Sequence, residues 1–239
     1  SSIVFNTLYD IADAKRFTFS RKGLREGLVM TRIKEEFPKA FNKNNVTSDA
    51  LKHIANEYNI NASNGKQRMK LAEDLLNKLE EITSFKISKE DREIFKEAAY
   101  LYYLGSFIDA DSSSQHTYYI IANSSINGLS HKERVKLALL ASFKNKTLLK
   151  FYIKGTPWFD DEEIELIQKL GGIIKFAHAL NVSNTDCIES MALIEKKNEF
   201  ELRAKYVTDP IAEEYQSDRQ KKHLEKLLPK KLNIIFTQD

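Results

Sequence analysis

The sequence contains little glycine, proline or cysteine. Its 239 residues include 8 glycines, 4 prolines and one cysteine, Cys187. The scarcity of helix-interrupting residues favours a mostly helical protein. A single cysteine cannot form an internal disulfide, which is typical of a reducing cytoplasm. No apolar run approaches the roughly 18 residues that a membrane span needs, and the first ten residues lack a secretory signal. We therefore expect a cytoplasmic protein with no membrane partner.

Positive charge is clustered although the net charge is only +3. The segment from Lys15 to Lys34 contains seven basic residues and only one acidic residue. A second basic run extends from Lys144 to Lys154 and a third from Arg219 to Lys231. Clustered cations suit a polyanionic partner, because each phosphate contact releases counterions; the alternative for any one run is a solvated lysine-rich surface. We do not expect a nucleic-acid partner, because no recognisable binding module accompanies the charge.

Hydrophobic periodicity divides the sequence into a long helical part and a short mixed part. Residues 16–20 (RFTFS) alternate as a strand does, and helical spacing then continues for roughly 160 residues. Near Ser183 the spacing of apolar residues changes from the helical period to every second residue. The segments CIESMALIEKK and EFELRAKYV then predict a β-hairpin. Asp209-Pro210 predicts the start of a helix that runs to Leu228, before a last strand, KLNIIF. The pattern indicates a helical body with a ββαβ tail.

Several local signals predict where helices begin, end and pack. Ser88–Asp91 and Ser130–Glu133 have the spacing of capping boxes, and Asp160–Glu163 (DDEE) places acids in the first turn of another helix. Gly105 predicts the end of the helix that begins at Ser88. Gly171-Gly172 lies within a helical pattern, where two glycines predict a kink or close helix packing.

Four ordered motifs resemble one protein family. The stretch 19–28 (FSRKGLREGL) lacks the ending of a Walker phosphate loop. With the strand before it, it resembles the joint between the actin-like lobes and the helical C-terminal region of the Ppx/GppA family, the exopolyphosphatases and guanosine pentaphosphate phosphatases. Residues 98–105 (AAYLYYLG), 115–133 (QHTYYIIANSSINGLSHKE) and 173–183 (IIKFAHALNVS) resemble three further motifs of that family. The resemblance covers nearly the whole chain.

The resemblance implies an organisation in three parts. Residues 1–30 correspond to a remnant of an actin-like domain, 31–183 to an HD-like helical domain, and 184–239 to the ββαβ subdomain. In the family, the actin-like lobes carry the glycine-rich phosphate loops, the catalytic carboxylate and the magnesium site, and this sequence has none of those motifs. We therefore expect a mainly α, non-catalytic C-terminal part of a bacterial exopolyphosphatase or guanosine pentaphosphate phosphatase, with no cofactor in this chain and magnesium in the lobes. By itself the chain should release no phosphate.

The resemblance also implies partners and candidate binding residues. The expected ligand is polyphosphate or guanosine pentaphosphate, bound together with the actin-like domain, and the expected assembly is a homodimer. His116 resembles a family position near the cleft between the helical and actin-like parts, and the alternative is a histidine that bonds backbone groups at a helix start. The remaining candidates for substrate binding are chosen mainly on charge: Arg21, Lys22, Arg25, Lys144 and Lys146.

The helical part resembles the HD phosphohydrolase fold, whose chemistry needs histidines and a His-Asp pair to hold a metal. The positions of that pair are occupied by Tyr102 and Tyr103, Lys144 stands where the family often has histidine, and His178 stands where the superfamily commonly has aspartate. We expect no metal site and no catalytic residue here. Two alternatives remain: a helical dimerisation or interaction module with no phosphate ligand, and an HD-type phosphohydrolase, which the two tyrosines argue against.

Overall fold

The chain divides into two compact units, Ser1–Asn45 and Val46–Asp239. The structure is a computed structural model, and it describes residues 2–15, 23–38, 45–154, 156 and 158–238. The first unit contains α1 (Ser2–Ile11) and α2 (Leu24–Glu36), and apolar side chains on both helices are exposed, Ile3 by 80% and Leu24 by 81%. The strand predicted at 16–20 lies outside the described residues.

The second unit is mainly α-helical, as the sequence predicts. Its helical part contains α3 (Val46–Glu57), α4 (Ala62–Ile82), α5 (Lys89–Tyr100), a 3₁₀ turn (Leu104–Phe107), α6 (Ser113–Asn123), α7 (His131–Ala141), α8 (Lys146–Ile153) and α9 (Asp161–Ala179). Leu75 of α4, Leu137 of α7 and Ile173 of α9 are fully buried in one shared core. Burying each such side chain contributes about 1.5–3 kcal/mol. None of the described helices is long and apolar enough to cross a bilayer.

The capping predictions for two helices have different outcomes. The box before α7 is complete, because Ser130 Oγ accepts from Glu133 N–H (3.3 Å) and the Glu133 carboxylate accepts from Ser130 N–H (2.7 Å). Only half of the box before α5 forms, since Ser88 Oγ accepts from Asp91 N–H at 3.0 Å. The Asp91 carboxylate accepts from the Ser88 hydroxyl and from Lys136 Nζ of α7 instead (2.8 and 2.7 Å). A tertiary ion pair has therefore replaced the second local hydrogen bond.

The C-terminal part forms a three-stranded sheet in the order β1-β2-β3. The strands β1 (Ile188–Glu195) and β2 (Glu199–Tyr206) form the predicted antiparallel hairpin, and β3 (Lys231–Thr237) pairs parallel to β2. The predicted single helix between β2 and β3 is two helices, α10 (Ile211–Gln220) and α11 (Lys222–Glu225). The alternation of apolar and polar residues in EFELRAKYV predicts that Glu201 faces water, and this prediction is wrong. It lies on the central strand, is 8% exposed, and its carboxylate accepts from Arg203 Nε at 2.5 Å.

Glycines mark close packing between elements. Helix α9 continues through Gly171-Gly172, and a Cβ on Gly171 would lie 2.4 Å from Cγ of Phe143, so the pair serves close packing. The prediction that α5 ends at Gly105 is wrong, because the helix ends at Tyr100 and Tyr103 takes a left-handed φ of 58°. A Cβ on Gly105 would lie 2.5 Å from the backbone nitrogen of Thr117 in α6.

Candidate functional site

A pocket of about 390 Å³ lies between three segments of the chain. They are residues 143–147 at the start of α8, the middle of α9, and α11. Its charged lining has six lysines, one histidine and one carboxylate, Glu165 of α9; this site is called the lysine pocket below. The basic residues that line it are Lys144, Lys146, Lys169, Lys175, Lys222, His223 and Lys226. Six ammonium groups around one cavity create a strongly positive potential, which favours an anionic ligand.

The two glycines of α9 build this pocket. Because Gly171 has no side chain, the ring of Phe143 packs onto the helix there and places the loop before α8 beside it. Gly172 does the same for α11, since a Cβ on it would lie 3.3 Å from Cβ of His223. The rings of Phe143 and His223 contact each other edge to face, with centroids 6.0 Å apart. Two basic segments that are far apart in sequence therefore meet on one helix.

The charges in the pocket are only partly compensated. Lys169 Nζ lies 2.7 Å from the Glu165 carboxylate. None of the other five lysines forms a salt bridge within the part of the chain that the structure describes, although the charge of Lys146 also acts on the Glu165 carboxylate. Lys175 Nζ donates to the carbonyl oxygen of Lys144 at 2.8 Å. Burial, together with the nearby charges of Lys222 and Lys144, lowers the pKa of Lys175 to about 8.

The pocket also contains polar groups that a ligand could pair with. Nε2 of His223 is buried and has no hydrogen-bond partner among the described residues. Burial and the surrounding lysines lower the pKa of His223 to about 4, so its ring is neutral at physiological pH. Asn145 Oδ1 caps α8 by accepting from Leu148 N–H at 2.9 Å. The N–H groups of Lys146 and Thr147, in the first turn, have no acceptor within the helix, and this positive helix end favours phosphate oxygens.

Two of the predicted binding residues, Lys144 and Lys146, line the lysine pocket. His116 is partly buried in α6, where the backbone of Gly105 packs against it, and it does not line the pocket. Arg25 is exposed in the first turn of α2, in the other unit. Arg21 and Lys22 lie outside the described residues.

The sequence indicates two of the three segments that line the pocket, the basic runs 144–154 and 219–231, but not that they meet on α9. Lys169 and Lys175 were not predicted as binding residues. The polar helix face that carries His223 predicts a surface residue, whereas that ring is partly buried against α9. One signal was available. The two lysines flank Gly171-Gly172 in an otherwise apolar segment, and a glycine pair in a helix indicates that another element approaches closely.

The residues that the resemblance to the HD fold singles out, Tyr102, Tyr103 and His178, form an aromatic cluster. The rings of Tyr102 and Tyr103 stack with centroids 4.2 Å apart, and the ring of His178 lies 5.2 Å from that of Tyr102. Tyr102 Oη donates to the carbonyl of Phe143 at 2.8 Å. Burial and the charge of Arg68 lower the pKa of His178 to about 3, while burial raises the pKa of both tyrosines. Buried neutral phenols beside one imidazole do not fit a divalent metal. Across the described ranges no three His, Cys, Asp or Glu side chains are placed to hold one.

Comparison with known proteins identifies the family. The family model of the Ppx/GppA phosphatase, domain III, matches residues 46–220, and no curated protein matches the sequence significantly. The matched range contains α3 to α10 and the β1–β2 hairpin, and it includes four of the pocket lysines but ends before Lys222. The chain therefore belongs to the Ppx/GppA phosphatase family and contains its domain III.

Proposed function

We propose that the lysine pocket binds the phosphate chain of polyphosphate or guanosine pentaphosphate. The observation that carries the proposal is the set of five lysines that form no salt bridge in the described chain, gathered around one cavity with the N-terminus of α8. Like charges at such close range repel each other, so the arrangement costs folding free energy. A bound polyanion offsets that cost, and its successive phosphates can each pair with an ammonium group of the lining.

In this proposal domain III contributes binding, and hydrolysis belongs to actin-like lobes of the family. Those lobes supply the catalytic carboxylate and the magnesium ion, and this chain uses no cofactor of its own. The protein acts in the bacterial cytoplasm as a homodimer. The chain alone binds polyphosphate without releasing phosphate, because phosphoryl transfer requires a metal and charge-stabilising loops around the reacting group.

A second candidate is a dimerisation or interaction module with no phosphate ligand. The observation that favours it is the exposure of large apolar side chains on α1 and α2, such as Phe5 and Leu28 (57% and 61%). Apolar surface of this kind often marks a contact with another protein. Binding of this type would depend weakly on salt, whereas phosphate binding depends steeply on it.

The test is binding of long-chain polyphosphate across a salt series, with phosphate release followed in the same samples. We expect tight binding at low salt that weakens as a power of the salt concentration. The double variant Lys144→Ala/Lys146→Ala should reduce the logarithmic slope by roughly one for each lysine that contacts phosphate. The control is Lys150→Ala/Lys154→Ala, which removes the same charge from the same basic run outside the pocket.

Each result separates the candidates. The proposal is supported if Lys144→Ala/Lys146→Ala loses binding and the control Lys150→Ala/Lys154→Ala keeps it. Equal loss in both variants would mean that a diffuse basic surface binds the polymer and would overturn it. Absence of binding at low salt would favour the interaction module. Release of phosphate would show that domain III is catalytic by itself and would overturn the expectation of no catalytic residue at Tyr102 and Tyr103.

A further inference from the structure

We propose that Lys175 is a modification site at which acyl phosphates transfer their acyl group to the side-chain amine. The inference rests on the proposed function in one respect, since the reagent is drawn to Lys175 through its phosphate group. Lys175 differs from its neighbours in position. Lys144, Lys146, Lys222 and Lys226 are exposed, whereas Lys175 is partly buried. Lys169 is also partly buried, but it is paired with Glu165, while Nζ of Lys175 is held by its hydrogen bond to the Lys144 carbonyl.

The surroundings of Lys175 favour the uncharged amine, which is the nucleophilic form. Burial disfavours the charged ammonium form of Lys175. So do two nearby cations, Lys144 in the loop before α8 and Lys222 in α11. The pKa of about 8 follows from these contacts. His223 is neutral, and the one carboxylate in the lining, Glu165, is held by Lys169. The charged groups around the pocket are therefore Lys144 and Lys146 at the start of α8, Lys222 and Lys226 at α11, and Glu165 with Lys169 on α9.

The cavity can hold the reagent in a productive position. Its lysines and the N-terminus of α8 attract the phosphate group of a small acyl phosphate, and a volume of about 390 Å³ leaves space for the acyl group. The lone pair of Nζ attacks the acyl carbon, a C–N bond forms and the C–O bond to phosphate breaks. The phosphate departs with that electron pair, and the proton from nitrogen passes to it. The products are an N-acyl-lysine and inorganic phosphate, and no electron is gained or lost.

Acylation changes the pocket in one defined way. The amide nitrogen of acylated Lys175 keeps an N–H that can donate to the Lys144 carbonyl, so the side chain can stay in place. The pocket, however, loses one cation. Since phosphate binding depends on cation number, acylation should weaken polyphosphate binding and reduce its salt dependence.

The test is incubation of the full chain with acetyl phosphate over a pH series, with each lysine followed by mass spectrometry. We expect Lys175 to react roughly tenfold faster near neutral pH than the exposed Lys150. The lowered pKa of Lys175 leaves more of its own amine uncharged, and this outweighs the lower nucleophilicity of a less basic amine. Its rate should level off above pH 8, because the pKa of Lys175 is about 8. Inorganic tripolyphosphate should protect Lys175.

A neutral donor and two variants separate docking from simple reactivity. With p-nitrophenyl acetate, which has no phosphate group, the preference for Lys175 should fall. The variant Lys144→Ala/Lys146→Ala should slow acetylation of Lys175 by acetyl phosphate, whereas Lys150→Ala/Lys154→Ala should not. Lys175 reacting no faster than Lys150, or showing equal preference with both donors, would overturn the inference.

Polyphosphate binding measured on the same samples distinguishes this inference from the proposed function. Binding without selective acetylation of Lys175 would overturn the modification site alone. Selective acetylation by acetyl phosphate without polyphosphate binding would overturn the proposed function, and would leave the pocket as a site for small acyl phosphates.

Discussion

Gly171 and Gly172 are chemically identical neighbours on α9 that meet different surroundings. A Cβ on Gly171 would lie 2.4 Å from the ring of buried Phe143, whereas one on Gly172 would lie 3.3 Å from Cβ of His223. A side chain at position 171 would force the Phe143 ring to move. A side chain at position 172 would require His223 to shift by only a few tenths of an ångström. The lysine pocket depends on both approaches, so these two residues connect packing with the proposed binding site.

We predict that Gly171→Ala destabilises the protein more than Gly172→Ala. Alanine gains about 1 kcal/mol of helix propensity at either position, but overpacking against Phe143 costs about 1–3 kcal/mol. The measurement is the free energy of unfolding from denaturant titration of both variants. Equal stability of Gly171→Ala and Gly172→Ala would show that the Phe143 ring does not pack tightly against position 171 of α9.

The lowered pKa of Lys175 predicts that the free energy of unfolding depends on pH. Its pKa is about 8 in the folded protein and 10.5 as the ordinary value. Between these values the unfolded chain binds more protons, so stability rises with pH across that window. We expect Lys175→Met to raise stability at pH 7, since it removes a partly buried charge, and to weaken that rise.

The control for this prediction is Lys169→Met, which removes a lysine that Glu165 compensates. It should not increase stability at pH 7. Denaturant midpoints at pH 7 and pH 9.5 give the comparison. An unchanged pH dependence in Lys175→Met would show that another group is responsible for it.

At the scale of elements, helix starts were the most predictable features. The predicted box at Ser130 forms because it needs only residues three apart in sequence. The acidic helix start predicted at 160–163 also forms, and the structure shows a capping box there, in which Asp160 Oδ1 accepts from Glu163 N–H at 2.8 Å. The box at Ser88 is incomplete because Lys136, from another helix, takes the Asp91 carboxylate. The helix expected to run to Leu228 breaks after Gln220, a change that no local signal marks.

We predict that Asp160→Ala destabilises α9 and with it the pocket wall. Loss of the N-cap acceptor costs about 1 kcal/mol. Asp161→Ala, one residue later, loses only a favourable charge near the helix end, about 0.3–1 kcal/mol, and Asp160→Asn should keep most of the stability because asparagine retains the acceptor. Thermal unfolding of the three variants tests this order. Equal losses in Asp160→Ala and Asp160→Asn would mean that charge, and not the hydrogen bond, matters.

At the scale of the whole molecule, a net charge of +3 conceals a local concentration of positive charge. Most acidic residues lie elsewhere, so the polarity of the lysine pocket is a property of the fold and not of the composition. A ligand that binds only the folded protein stabilises it by mass action. Stability can therefore report on binding by the intact chain.

We predict that millimolar tripolyphosphate raises the midpoint of thermal unfolding. A concentration one hundred times the Kd would stabilise by about 2.7 kcal/mol. The shift should shrink in Lys144→Ala/Lys146→Ala and persist in Lys150→Ala/Lys154→Ala. An equal shift in all three proteins would place the anion outside the lysine pocket.

The sequence by itself determined the helical class, the β1–β2 hairpin and the family motifs. These depend on spacings of two to four residues and on short ordered patterns, which are visible along the chain. Tertiary structure alone decided that Lys144 and Lys222 share a pocket, that Glu201 is buried, and that Gly171 contacts Phe143. The physical reason is that charge repulsion, burial and steric contact act through space between residues distant in sequence, whereas caps and periodicity act between neighbours.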